Sequence, residues 1–290
     1  MQFLSLDYAA VALSFGQLVL GVVVLILAKV AFGWFSPYST DQEMTSRDNP
    51  AFGLAIAGYF AGTAIIYISS AGFAPLPLDE GASAVFAAMG ENLAWALAGI
   101  IALNASRWLT DRLLVSHVRN DQEIREHRNL AAGALECGAY IAAATVLAGA
   151  IRQPGGTPWT ALAIFLLGQF AFILMGRLYQ RWIGYDLVAE VRSGNLAAGV
   201  GFAMTLVALS LLMLKAIGGE FATWTASLSF FAFDAVAGLI LLLFLRWLAA
   251  TALLPGSRMV QEIVRDRNVN AGLIEGVFAI GIAGMILYLF

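Results

Sequence analysis

Long apolar runs separated by short charged segments set the pattern of this chain. Eight runs, near residues 8–33, 51–73, 84–109, 129–151, 158–182, 196–218, 223–250 and 271–290, carry very little charge. Each approaches or exceeds the ~20 residues that a helix needs to cross a bilayer. The strict alternation of a membrane β-barrel is absent, so helices are the spanning structure that remains. The pattern predicts an all-α integral membrane protein with eight transmembrane helices.

The charged segments that follow the first, third, fifth and seventh runs are versions of one text. They read "DQEMTSRDNPAFG", "DQEIREHRNLAAG", "AEVRSGNLAAG" and "QEIVRDRNVNAG". Each holds a glutamate (Glu43, Glu123, Glu190, Glu262), then an asparagine (Asn49, Asn129, Asn195, Asn268), then a glycine four residues on (Gly53, Gly133, Gly199, Gly272). The glutamate precedes the asparagine by six residues in units one, two and four, and by five in unit three. A two-helix hairpin is therefore used four times, and an even number of spans per unit gives all four the same orientation. Units one and two form a first four-span domain, residues 1–151, and units three and four a second, 158–290. "RQPGGT", residues 152–157, is the joint.

The halves match more closely than the units. Arg107–Trp108 recurs as Arg246–Trp247, and 29 residues separate Arg107 from Glu136 just as they separate Arg246 from Glu275. Units one and three have Ile56 and Phe202 where those acids would stand. The phrase running from the glutamate through "NLAAG" or "NVNAG" to "LECG" or "IEG" resembles the YjfL-type inner-membrane proteins, domain of unknown function 350. The resemblance covers nearly the whole chain as two tandem copies. It implies a four-helix membrane domain and brings no activity with it.

Composition agrees with the membrane reading. Hydrophobic residues make up 60% and charged residues 12%, against about a quarter charged in soluble domains. Of the 16 lysines and arginines, 14 lie in or beside the four repeated segments, among them Lys29, Arg119 and Arg258; Arg152 and Lys215 are on the other side. By the positive-inside rule the repeated segments are cytoplasmic and both termini periplasmic, in a plasma (inner) membrane. No Lys or Arg precedes the first run, so it does not read as a cleavable signal. Acids crowd the same segments, which argues against a nucleic-acid-binding arm. The single cysteine, Cys137, excludes an internal disulfide.

The candidate residues follow from local chemistry. Pro50 fixes Asn49 as a helix N-cap, and repetition extends that role to Asn129, Asn195 and Asn268. "TDQE" (Thr40–Glu43) and "NDQE" (Asn120–Glu123) fit capping boxes of short surface helices, whereas Glu190 and Glu262 lack the paired cap. Asn, Gly and Glu at offsets of 0, 4 and 7 share one helical stripe. The four glycines, with the pairs Gly58/Gly62 and Gly272/Gly276, turn that stripe toward neighbouring helices. Glu136 and Glu275 then sit about 10 Å along their helices, where a charge must be paired, wetted or protonated. Arg107 and Arg246 are the expected partners. Glu91 and Asp234 lie on one face of equivalent helices, and with the deeper acids they suggest a staggered series of carboxylates. Gln17 and Gln169 could add polar lining.

No metal site, cofactor site or enzyme is expected. The two histidines, His117 and His127, share one segment, and neither a phosphate loop nor a nucleophile elbow occurs. Two roles stay open. The first is passage of a proton or monovalent cation past Glu136, Glu275, Glu91 and Asp234. The alternative is a non-catalytic membrane platform whose repeated cytoplasmic segments recruit a soluble protein partner. A weaker third idea has the grouped helix N-termini hold an anion or a lipid headgroup. Fused tandem copies also suggest an ancestral unit that paired with itself, and further homo-oligomerisation is open.

Overall fold

The structure is a computed structural model, described over residues 8–36, 38–72, 76–77, 80–114, 120–253 and 259–289. His117, Arg119 and Arg258, named above, lie outside the described residues. The described helices are α1 (Tyr8–Phe35), α2 (Thr40–Met44), α3 (Pro50–Gly72), α4 (Ala82–Leu113), α5 (Asn120–Arg125), α6 (Leu130–Ile151), α7 (Pro158–Trp182), α8 (Leu187–Arg192), α9 (Leu196–Ile217), α10 (Trp224–Leu253), α11 (Met259–Val264) and α12 (Val269–Leu289). Eight are long and apolar enough to span a bilayer. The other four, α2, α5, α8 and α11, are single short turns that carry the motif glutamates at one end of the bundle, here the motif end.

The expected spans are present with shifted ends. Helices α1, α4 and α10 continue to Phe35, Leu113 and Leu253, past the expected ends at 33, 109 and 250. In α4 the last turn carries Arg112, and an arginine can bury its stem while keeping its head at the interface. Two spans open on proline at the first helical position, Pro50 and Pro158. Proline's fixed φ and missing N–H suit that place. At Pro158 the cap Thr157 and Thr160 complete a capping box.

The second helices of the four hairpins form a row, α3–α6–α9–α12, and the first helices lie against it. α4 packs on α3 and α6, α7 on α6 and α9, α10 on α9 and α12, and α1 on α3 and α4. The row is rich in alanine and glycine. The flanking helices turn large apolar side chains outward, such as Phe15, Leu18, Leu166, Phe170, Phe230 and Phe233. That division has a physical reason. Lipid tails are as apolar as leucine, so no hydrophobic force pulls spanning helices together, and close backbone approach with interhelical hydrogen bonds must do so instead.

Motif glycines make that approach. A Cβ on Gly133 would lie 2.4 Å from the Ala51 carbonyl oxygen, one on Gly199 2.6 Å from that of Ala131, and one on Gly272 2.2 Å from that of Ala197. A turn deeper, Gly58 faces the Cys137 backbone, Gly138 the Ala203 backbone, and Gly276 the Met204 side chain. Each seam repeats the last in register. Gly53 departs from the expected packing role: a Cβ there would meet nothing within 4 Å. It belongs to α3, the first helix of the row, and no other unit among the described residues packs on that face. Gly199→Ala is therefore expected to force α6 and α9 apart at a cost of about 1–3 kcal/mol. Gly53→Ala should be neutral or slightly stabilising through helix propensity. Thermal unfolding of the two variants side by side in one detergent would check this.

Candidate functional site

Each motif asparagine uses its whole side chain. The Oδ1 atom accepts from the first turn of the following span: from Ala51 and Phe52 at Asn49, Ala131 and Ala132 at Asn129, Ala198 at Asn195 and Asn270 at Asn268. The Nδ2 amide donates to the glutamate of its own unit, Glu43 (3.2 Å), Glu123 (3.1 Å), Glu190 (2.7 Å) and Glu262 (3.0 Å). In the first three units Nδ2 also donates across to the next unit: Asn49 to the Ile124 carbonyl (2.9 Å), Asn129 to that of Val191 (2.7 Å) and Asn195 to that of Ile263 (2.8 Å). These acceptors are equivalent residues, each directly after a motif glutamate. The asparagines thus start four helices and also tie each unit to the next. Asn49, Asn129 and Asn195 are buried, and Asn268, at the end of the row, is only partly so.

This geometry gives the glutamates a role other than the one expected at α2. The cap there is Ser39, which accepts from the Gln42 N–H, and not Thr40. The Glu43 carboxylate points inward, held by Asn49, by Arg47 (2.7 Å) and by Arg125 of the next unit (3.4 Å). Glu123 likewise accepts from Asn129 and lies 3.1 Å from His127 Nδ1. A carboxylate bonding the Asn amide fixes which way that amide points, and so which atom caps and which reaches across.

The backbone just before each asparagine is left-handed. Asp48, Arg128 and Arg267 have φ of 44°, 52° and 49°, and unit three places Gly194 there at 75°. Only glycine adopts this region without a Cβ clash. Gly194 is the sequence's own marker of that turn. Arg128 and Arg267 use the position to donate to the preceding unit, at Arg47 O and at Ser193.

Deeper in each half lies one arginine–glutamate pair. Arg107 Nε is 2.6 Å from Glu136, and Arg246 bonds Glu275. The surroundings come from the other unit of the same half. Phe32 lies 5.7 Å under the Arg107 guanidinium and Tyr179 4.8 Å under that of Arg246. Both aromatics stand eleven residues before a motif glutamate, in α1 and α7. Arg246 also donates to Thr205 Oγ1 (3.1 Å), and the Tyr179 hydroxyl donates to Glu275 (3.3 Å). Tyr38 and Tyr185 stand five residues before Glu43 and Glu190; Tyr38 lies within reach of the Arg107 charge, and Tyr185 lines a cavity with Arg246 and Glu275. Burial pushes both phenols up, with the Arg107 cation opposing it at Tyr38 and the Glu275 carboxylate adding to it at Tyr185. So odd units supply an aromatic frame and even units the charges. Sequence reasoning reached the charges but missed Phe32, Tyr179, Thr205, Tyr38 and Tyr185. For the four aromatics the constant spacing from the motif glutamates was the available signal; Thr205 had none.

The two sites differ in one consequential way. In the first half Asp121 also reaches Arg107, at 2.5 Å, with Asp111 at 3.9 Å. In the second half Val260 takes the place of Asp121. A cavity of about 220 Å³ opens there, lined by Trp182, Tyr185, Trp247, Val260 and the Arg246–Glu275 pair. The Glu275 side chain is 20% exposed and that of Glu136 4%.

The staggered series of carboxylates does not form within one chain. Glu91 is exposed at the far end, lining a cavity with Ser70, Asn92 and Gln153. Asp234 pairs with Lys215 at 3.5 Å. Buried Leu242 and Ala235 lie on α10 between Asp234 and Arg246, and buried Ala96, Ile100 and Leu103 on α4 between Glu91 and Arg107. Side chains at the same face of equivalent helices are separated because each helix faces its own neighbours. Gln17 bonds the Tyr67 hydroxyl, and Gln169 is buried in α7. Among the described residues no group of three or more His, Cys, Asp or Glu side chains could hold a metal.

A family model described as Domain of Unknown Function (DUF350) matches residues 5–151 and again residues 155–289. No curated protein matches the chain, and no solved structure does.

Proposed function

This chain belongs to the DUF350 family in two tandem copies, and we propose that it works as a non-catalytic membrane platform that holds four cytoplasmic surface helices in a fixed row for a soluble partner. One observation carries the reading. The repeated Glu–Asn–Gly residues are consumed in fastening the short helices α2, α5, α8 and α11 to one another through Asn-to-carbonyl bonds. A motif that builds a ladder at one membrane surface fixes the spacing of whatever that surface presents. What it presents is a mixed-charge ledge with Asp41, Glu126, Arg192, Gln261 and Arg265 exposed and Gln122 half-buried among them. The positive-inside bias sets the ledge toward the cytoplasm. Glu136 and Glu275 are each paired with an arginine, an arrangement that fixes register.

A second reading, passage of protons or monovalent cations, draws on the cavity that reaches Glu275 in the second half. Liposome flux separates the two. A platform leaves proton and potassium flux at the level of empty vesicles, for the parent and for the Glu136→Gln/Glu275→Gln variant of confirmed folding. It also requires that proximity labelling from the ledge mark a defined soluble protein, lost when Gln122, Glu126, Gln261 and Arg265 are changed to alanine. Flux in the parent that vanishes in the carboxylate variant would replace the platform with a conduction role.

A further inference from the structure

The row of repeats is built from one seam used three times, and the seam is polar in direction. On its giving side a unit offers the Asn amide and a small residue two positions after the Asn: Asn49 with Ala51, Asn129 with Ala131, Asn195 with Ala197. On its receiving side the next unit offers the carbonyl after its motif glutamate and the motif glycine: Ile124 with Gly133, Val191 with Gly199, Ile263 with Gly272. A head-to-tail interface used three times among four units leaves one unused face at each end of the row.

Both unused faces are visible. Unit four has a giving side with nothing to give to. Among the described residues Asn268 Nδ2 bonds only Glu262, and Asn270, in the place of the buried alanines, is exposed. Further along α12, Gly281 and Gly284 have open space where a Cβ would point. Gly281 stands where Gly62 packs on the Tyr140 carbonyl in the first seam. Unit one has a receiving side that no other unit among the described residues occupies. Gly53 meets nothing within 4 Å, and Met44 occupies the place of Ile124, Val191 and Ile263 after the motif glutamate.

We infer that α12 of one copy docks on α3 of a second copy, side by side in the same membrane, through a fourth repetition of this seam. Asn268 then donates to the Met44 carbonyl of the second copy, and Gly53 of that copy packs on the α12 backbone beside Asn270. The parallel orientation of the repeats is what a neighbouring copy in the same bilayer already has. The seam tolerates the differences at the ends. Asp48 cannot make the contact that Arg128 and Arg267 make, but the α6–α9 seam has Gly194 there and forms regardless. Val277 is larger than Gly58 and Gly138 at its position, but Met204 stands there in the third seam, accommodated by Gly276. The small Ala57 is the matching residue on unit one, and it is exposed. Continued head to tail, the contact gives a ring or a row of chains. It does not depend on the platform reading.

The test is cross-linking in native membranes between two differently tagged copies, both carrying Cys137→Ala. One copy carries Asp266→Cys and the other Asp48→Cys, residues that are exposed in the single chain and that the fourth seam brings together. Arg47→Cys with Arg128→Cys in one chain reports the same geometry at an internal seam. A short bis-maleimide should join the 48 and 266 positions between copies with efficiency similar to that of the internal pair. Gly53→Leu should abolish the joint while leaving helicity and unfolding midpoint unchanged, since that side chain has free space in the single chain. Absence of the 48–266 product while the internal product forms would overturn the inference. So would a 48–266 product that persists with Gly53→Leu.

Discussion

Asn195→Ala is expected to destabilise the protein more than the same change at any other motif asparagine that ends the row. Asn195 is fully buried at the central part of the row and makes three kinds of bond at once: the cap to Ala198 N–H, the bond to Glu190 and the bond to the Ile263 carbonyl. Losing the cap costs about 1 kcal/mol. Leaving a buried carbonyl and a carboxylate without their donor adds about 1–3 kcal/mol. The sum is on the order of 3 kcal/mol. Asn268→Ala, which has no described bond to a next unit, loses the cap and the bond to the half-buried Glu262 and should cost about 1–2 kcal/mol. Asn195→Asp is the sharper control. It keeps the capping oxygen, removes both donors and sets a second carboxylate against Glu190, so it should be worse than alanine despite its near-identical shape. Unfolding midpoints of the three variants in a detergent that keeps single chains apart would establish the order. Equal losses for Asn195→Ala and Asn268→Ala would mean that the cap and the glutamate bond account for everything and the inter-unit bond for nothing.

Glu275→Gln is the second large effect, and it should exceed Glu136→Gln. In the second half Arg246 is 4% exposed and Glu275 is its carboxylate partner. Neutralising that partner leaves a buried guanidinium facing Thr205 and the Tyr179 ring, and breaking such a pair costs about 3–5 kcal/mol. In the first half Arg107 retains Asp121 at 2.5 Å after Glu136 is neutralised, which offsets part of the loss. The double change Arg246→Leu/Glu275→Leu should recover most of the stability, because an apolar replacement removes both desolvation costs together. Scanning fluorimetry on the single and double variants forms a mutant cycle that reads the coupling directly. An equal loss at the two glutamates would remove Asp121 from the account of the first site.

Stability and role separate at these residues. If the pairs fix register, the losses appear in unfolding. A carboxylate that conducts leaves the fold intact when neutralised and shows its loss in flux alone. The asymmetry between the halves places the contrast at Glu275, beside the cavity, and makes Glu136 an internal reference.

Much of the architecture was legible in the sequence. Eight spans, four parallel hairpins and two halves follow from hydropathy and a repeated phrase, because a bilayer forces every backbone polar group into a helix and leaves the chain few choices. The Arg–Glu spacing of 29 residues was equally readable, since both ends of a hairpin pass the same depth. The resemblance to the family rested on the same short words. Three matters were not legible. The asparagines look like caps from the chain alone, and their second amide hydrogen has no local acceptor, so the bond to the next unit exists only once units are laid side by side. The motif glutamates near α2 look like capping-box residues, but Glu43 turns inward because Asn49 and Arg125, six and 82 residues away, meet it there. Gly53 holds the same motif position as Gly133, Gly199 and Gly272, four residues after the asparagine, and its place at the end of the row leaves it unpacked. Local chemistry and periodicity are written in each repeat. Which repeat has a neighbour is a property of the assembled row, and identical words acquire different roles from it.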